Sequence, residues 1–490
     1  MIDLTIDKKG LDNNIRVAKE NSIVIPTIAQ MRDPSTIPES VKQKLKSVGL
    51  WDVNPLNLFR ITWKNEPKEY GGQFQDVPNY IELPSALTGV PCRIFAMAGK
   101  WFPTGCHKVG ASFGCLAPRL LTGQFDSTHH KAAWPSTGNY CRGGAFNSKL
   151  LASHSIAILP EGMSKERFEW LKTIATEVIA TPGSESDVKE IFDKTWELKQ
   201  QPDVMVFNQF EEMGNVLWHY NVTGSAMADV YEAIKKPGNR FAAACFTSGS
   251  AGTMSAGDYL KDVYPELKLA VGEALQCPTI LSNGFGSHRI EGIGDKHIPW
   301  IHNIKNTDMV IDIDDEDAVR LMRLFNTEAG KQYLKHELKL DAELIELFSL
   351  MGISGIANML AAIKMAKYYE LTENDVIGTV LTDSADMYRS RIEELEAQHG
   401  RYSEQEAHLD YIGHLMSQKT DNMAELTYAD RKRVHNLKYY TWVEQQGRNV
   451  NELNALWYDT EHTWKAVHEQ ASELDDLIRA FNEATGLLEG

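Results

Sequence analysis

Between about residue 81 and residue 391 the chain alternates short apolar runs with amphipathic stretches. The runs include CRIFAMAG, SIAILPEG, EVIATPG, VMVFNQF, RFAAACFTSG, LKLAVGEAL and VIGTVLTD. Short runs of continuous apolar character are the mark of strands buried on both faces. Strands separated by helical stretches build βαβ units and a parallel sheet, so the expected fold class is α/β. Residues 1 to about 80 carry scattered prolines and turns (MRDPSTIPES, WDVNPLNLF) and weak periodicity. They read as an N-terminal extension that packs onto the rest. From about 392 to 490 the strand signal is lost, and VHNLKYYTWVEQQ and LNALWYDTEHTWKAV read as charged, amphipathic helices with large aromatics. Three regions follow: 1–80, 81–391 and 392–490.

The charge balance narrows the partners. With 67 acidic against 50 basic side chains the net charge is −17, which repels phosphate backbones and anionic membrane surfaces. Neither nucleic acid nor membrane is expected as a partner. The six cysteines form no CxxC pair and no disulfide framework in so long a chain. The start, MIDLTIDKKGLDNN, has no basic segment followed by an apolar run. A reducing, cytoplasmic setting is the expectation.

Three stretches carry candidate chemistry. FAAACFTSGSAGTMSAGDYLK reads as a buried strand, the loop Ser248–Gly249–Ser250–Ala251–Gly252–Thr253, then a helix. Small residues there let backbone N–H groups and a helix N-terminus close on an anion such as phosphate. Alone, the loop is equally a tight strand-to-helix turn. It is neither a P-loop nor a Rossmann fingerprint. In WPSTGNYCRGGAF, Ser136, Thr137, Gly138 and Asn139 gather donors suited to a carboxylate, or form a plain N-cap. In PTGCHKVGASF, Lys108 falls at a predicted helix N-terminus, where the macrodipole is already positive. A solvent-facing lysine is one reading; a nucleophilic amine with a lowered pKa is the other. Amine, donor loop and phosphate cradle together describe a pyridoxal-phosphate site.

In this order the motifs resemble the fold-type II pyridoxal-phosphate enzymes, in the O-acetylserine sulfhydrylase and cystathionine beta-synthase branch of the tryptophan synthase beta superfamily. The resemblance runs from about 81 to 391 and implies two αβα subdomains with the cofactor in the cleft between them. It makes Lys108 the Schiff-base lysine. It assigns Asn139 to the cofactor's 3′ oxygen and Gly249, Ser250, Ala251, Gly252 and Thr253 to its phosphate. It gives the substrate carboxylate to Ser136, Thr137 and Gly138, with Gln209 of FNQFEEMGNVLWHYNVTG as a second contact. GSHRIEGIGDKHIP is similar to the family's cleft segment, and VLTDSADMY to the one that brings a serine, here Ser384, to the pyridine nitrogen. A homodimer is typical of the family.

The implied reaction is β-elimination or β-replacement on a β-substituted amino acid (cysteine, O-acylserine, serine or a dianionic analogue) through an aminoacrylate. The alternatives are the pyridoxal-phosphate subunit of a 2-amino-4-oxopentanoate thiolase-type enzyme and a non-catalytic regulatory homologue. Two departures stand near the expected substrate side chain: Tyr140–Cys141–Arg142–Gly143–Gly144 after Asn139, and Val–Gly–Ala–Ser after Lys108. Arg142 is the candidate clamp for a second substrate anion, or a structural arginine. DIDDEDA lacks calcium-loop spacing and reads as acids in the first turn of the helix AVRLMRLF. No metal is expected.

Overall fold

The computed structural model describes residues 1–183, 188–294 and 296–487. Its strands are β1 (Tyr80–Leu83), β2 (Arg93–Ala98), β3 (Lys131–Pro135), β4 (His154–Pro160), β5 (Glu177–Thr181), β6 (Val204–Val206), β7 (Arg240–Thr247), β8 (Lys268–Ala274), β9 (Met309–Ile313), β10 (Asp375–Leu381) and β11 (Met423–Glu425). They form a seven-stranded sheet in the order β1-β2-β10-β7-β8-β9-β11 and a four-stranded sheet in the order β5-β4-β3-β6. The four-stranded sheet is parallel throughout. In the larger sheet β1 and β11 are antiparallel edges on a parallel interior. The chain begins in the large sheet, leaves to build the small one, and returns at β7. Loops that follow β3, β7 and β10 therefore lie at the carboxyl ends of strands from both sheets, where open α/β sheets bind ligands.

Glycines set how closely the site helices pack. A Cβ on Gly110 would lie 2.0 Å from the Trp218 ring, and one on Gly144 would lie 2.0 Å from the ring of Trp134. Gly143 stands against the Val109 backbone, at 2.8 Å. Both expected departures from the family pattern thus contain glycines that let Lys108–Leu121 and Asn139–Leu150 pack together and against two indoles. The helix Asp315–Asn326 opens on the Asp314 cap with Asp315, Glu316 and Asp317 in its first turn, as the sequence predicts. The helix Ile353–Tyr368 is apolar on nearly every side and buried within the core. Among the described residues no single helix is long and apolar enough to cross a membrane.

The tail is helical with one exception. β11 pairs with β9 from Glu425↔Met309 to Met423↔Ile311. A strand of three residues is too short for alternation to show in the sequence. The tail also folds back on the start of its own chain. Asp475 accepts from the amides of Ile28 and Ala29, and Asn482 bonds both N–H and C=O of Ile25. Farther along, Trp442 Nε1 donates to Ile298 O at 2.8 Å. Lys438 Nζ, fully buried, donates to Trp300 O at 2.9 Å and His302 O at 2.7 Å.

Burial pushes the Lys438 ammonium down to about 7. Its folded-state pKa lies below its unfolded value, so between the two the unfolded chain binds the extra proton and stability rises with pH. The wild type should therefore gain on Lys438→Met by at most about 3 kcal/mol between pH 7 and pH 9.5, read from urea midpoints. A gap that does not change with pH would show that Lys438 is charged in its site.

Candidate active site

Three helices begin around one cleft, and among the described residues none has a side-chain cap: Lys108–Leu121, Asn139–Leu150 and Gly252–Val263. Each carries a partial positive charge at its start, and the second and third leave orphan N–H groups there; in the first, the Lys108, Val109 and Gly110 amides bond Cys106 Sγ, Cys106 O and His107 O. Before the second helix, Gly138 takes φ 152° and ψ −72°, and a Cβ there would fall 2.5 Å from Arg167 Nη1. Before the third, Ala251 is left-handed at φ 65°. Gly249 backs onto the 286–299 segment, where a Cβ would meet Gly292 O at 2.8 Å.

Lys108, Ser136, Thr137, Asn139, Gln209, Gly249 and Ser250 line the cleft together, with Tyr140, Phe210, Gly292 and Thr382. Lys108 is half-buried, and its Nζ donates to Gln209 Oε1 and Ser250 Oγ, each at 3.1 Å. Gln209 Nε2 reaches Ser136 Oγ at 3.4 Å, and Asn215 Nδ2 donates to Ser250 Oγ at 3.1 Å. The amine thus stands between the Ser136 loop and the glycine loop. Gly138, Ala251, Gly252 and Thr253 adjoin this lining in the chain. The cavity between these residues is about 20 Å³.

The structure does not bring Arg142 or Ser384 into the lining. Arg142 is buried; its guanidinium lies over the rings of Trp170 (4.8 Å) and Trp51 (5.6 Å), and Nη1 is 2.7 Å from Met387 Sδ. Burial, then Arg167, pushes its pKa down to about 10. Ser384 Oγ donates to Asp386 Oδ2 at 3.4 Å, and Asp386 pairs with Lys100 and Arg389.

Four buried residues escaped the sequence reading: Arg167, Glu291, Asp383 and Tyr388. Asp383 Oδ2 accepts from Asn139 Nδ2 at 2.7 Å and from Tyr388 Oη at 2.9 Å. Arg167 Nη1 donates to Thr137 O at 3.0 Å and pairs with Glu291 at 3.1 Å. Its Nη2 bonds Tyr388 Oη at 3.0 Å and lies 3.8 Å from Asp383. Burial raises the Asp383 carboxyl above its ordinary value, against the pull of Arg167 and its hydrogen bonds. Both positions were in stretches already quoted or adjacent to them, but a lone arginine in MSKERFEW and an aspartate beside Ser384 carry no spacing signal.

The profile of the family "Pyridoxal-phosphate dependent enzyme" matches residues 80–331. The chain belongs to that family. A probable cysteine synthase of Bacillus subtilis (strain 168) is 31% identical over 258 residues, 52% of this chain and 75% of the relative. Cystathionine beta-synthase of Saccharomyces cerevisiae is 25% identical over 320 residues, 63% of this chain and 59% of the relative. Among solved structures, O-acetylserine dependent cystathionine beta-synthase from Helicobacter pylori aligns with TM-score 0.53 and 24% identity, over 64% of this chain and 95% of that one. A hydrogen sulfide-producing enzyme from Fusobacterium nucleatum aligns with TM-score 0.53 and 22% identity, over 63% and 95%. These structures share the fold: two α/β subdomains around a cleft, here with a helical C-terminal extension. The family match stops before Thr382, Asp383 and Ser384.

The cofactor of the family is pyridoxal phosphate, and the donor chemistry of the cleft suits it. Two buried amide oxygens there, Asn139 Oδ1 and Asn215 Oδ1, have no partner among the described residues. The unpaired helix N–H groups suit the anionic phosphate, while the two amide oxygens can only accept and would need a donor.

Asp383→Ala would take from buried Arg167 a carboxylate that faces it at 3.8 Å. A loss of about 3 kcal/mol or more in unfolding free energy is expected from urea denaturation, against under about 1 kcal/mol for Ser384→Ala. Equal costs would mean that Asp383 bears no special load.

Proposed function

We propose that the chain catalyses β-elimination or β-replacement on a β-substituted amino acid, in the manner of a cysteine synthase or cystathionine beta-synthase. The observation that carries this reading is the position of Lys108 Nζ. It lies 3.1 Å from Gln209 on the carboxylate side and 3.1 Å from Ser250 on the phosphate side. An amine placed there reaches both the group that anchors the cofactor and the Cα of an amino acid held by its carboxylate.

When bound, pyridoxal phosphate supplies an electron sink for the pair left at Cα. The chain's own residues do the rest. Gly249, Ser250, Ala251, Gly252 and Thr253 present N–H groups and the positive end of their helix to the phosphate. Ser136, Thr137 and Gly138 hold the substrate carboxylate, with the Gln209 amide as a second contact. Asn139, fixed by Asp383, orients the cofactor ring through its 3′ oxygen. Lys108 would hold the cofactor and, as a free amine, would take the Cα proton of the substrate on Nζ. Arg142, clasped by Trp51 and Trp170, serves packing in this reading.

A cytoplasmic homodimer completes the proposal. The six cysteines, all buried and with no disulfide between any two of them, support the reducing setting.

An absorption spectrum tests the reading. Purified protein with pyridoxal phosphate should show a visible band that Lys108→Ala abolishes. O-acetylserine with sulfide, serine with homocysteine, or cysteine alone should then give product at a rate that Lys108→Ala lowers by at least about a thousandfold. A band with no turnover of any β-substituted amino acid would leave a cofactor protein and remove the lyase or synthase reading.

A further inference from the structure

Two buried imidazoles behind the Lys108 turn have no part in the mechanism above. His107 precedes Lys108, and His219 opens the π-helical segment His219–Gly224. Their ring centroids are 5.2 Å apart and both rings are shut from solvent. Burial, then Lys108, pushes His107 down to about 3; burial, then His107, holds His219 well below its ordinary value. Both are neutral, so each carries one N–H donor and one acceptor nitrogen.

The partners of His219 decide which nitrogen has the proton. Trp63 Nε1 can only donate, and it does so to Thr223 Oγ1 at 3.1 Å. A hydroxyl can accept twice, but the one hydroxyl proton of Thr223 finds no other acceptor among the described residues, so it goes to His219 Nδ1, 2.9 Å away. Nδ1 is the acceptor, and Nε2 carries the proton. Nε2 meets no acceptor among the described residues and is fully buried. A donor in that state costs free energy unless an acceptor arrives.

That edge of the ring faces the start of the glycine-loop helix. A Cβ on Gly252 would lie 2.8 Å from His219 Cδ2 and 2.3 Å from Asn215 Oδ1. Cδ2 is bonded to Nε2, so the unpaired imidazole N–H lies near the start of that helix. The ring N–H and the helix N–H groups are unsatisfied donors for which a phosphate monoester has acceptor oxygens, while the unpaired Asn215 Oδ1 near them can only accept.

We propose that His219 is a phosphate ligand of the cofactor through Nε2–H, and that Trp63 and Thr223 form a relay that fixes the tautomer able to donate. The proposal rests on pyridoxal phosphate being the cofactor. Thr223 and Trp63 are positioning residues: they touch neither substrate nor cofactor. The relay also brings the segment before β1 into the site, since Trp63 belongs to it.

Pyridoxal separates the phosphate contact from every other one, because it can join Lys108 but lacks the phosphate. Binding of pyridoxal phosphate and of pyridoxal to the cofactor-free chain would be measured by titration of the visible band. His219→Phe should weaken pyridoxal phosphate about ten- to a hundredfold and change pyridoxal by no more than about twofold. Thr223→Val keeps the ring but releases Nδ1, and should give a smaller loss with the same selectivity. Equal weakening of both ligands, or none for pyridoxal phosphate, overturns the proposal. Should His219→Phe fail to fold, nitrogen-15 histidine spectra of the unaltered chain decide. A proton on Nε2, with a resonance that moves for pyridoxal phosphate and not for pyridoxal, supports the relay. A proton on Nδ1, or no phosphate-dependent movement, overturns it. Failure of the unaltered chain to bind either ligand would overturn the cofactor reading itself, and the proposal with it.

Discussion

The positive ends of three helices meet around one cleft, and much of the site follows from that arrangement. Each contributes roughly half a unit of positive charge, and the helices from Asn139 and Gly252 also contribute unpaired N–H groups. The Lys108 amine adds to the same field. Such a cluster is unfavourable unless acceptors enter it. The chain provides a few, Gln209 Oε1 and Ser250 Oγ for the amine. The remaining donors suit a dianion and a carboxylate. The small residues 249–252 and Gly138 follow from the same constraint, since backbone N–H groups serve as ligands only where side chains do not stand in front of them.

A second constraint holds the loops in place, and it is polar. The Ser136 loop ends the third strand of the small sheet, while Asp383 follows the last parallel strand to join the large one. Arg167 joins them: it bonds Thr137 O, faces Asp383 and pairs with Glu291 of the 286–299 segment. All of these side chains are buried. A buried ion pair of this kind is weak evidence of added stability, because desolvation offsets the Coulomb gain. Its geometric effect is clearer. Asn139 can face the cleft in one orientation only while its amide donates to Asp383. The distance between the subdomains and the aim of the Asn139 amide are thereby set by the same group of charges.

Much of this was legible in the sequence, and the rest was hidden for identifiable reasons. Continuous apolar runs gave away the parallel strands, because burial on both faces leaves no alternation to misread. Lys108, the Ser136–Asn139 stretch and the glycine loop stood out because turn chemistry is local. Arg167 and Asp383 were not legible, since their meaning lies in a contact between segments far apart in the chain. Arg142 shows the same limit from the other side. A position near a helix start is readable, but the indoles that clasp it, Trp51 from the leader and Trp170 from the small subdomain, are not. Ser384 and Asp383 are neighbours, and only packing separates the one that turns to the Asp386 cluster from the one that holds Asn139.

The two segments outside the matched region then have a physical reason to be there. The tail holds the 297–302 stretch through Lys438 and Trp442. That stretch continues the segment whose Gly292 carbonyl backs Gly249. The leader supplies Trp63, which bonds Thr223 beneath the glycine-loop helix, and Trp51, which covers Arg142. The tail in turn caps the leader through Asp475 and Asn482. Leader and tail thus clamp the walls of the cleft from outside rather than forming a separate unit. A loop of small residues has few side chains of its own to lock its shape, so its rigidity has to come from what is packed behind it, and here the two ends of the chain hold that packing.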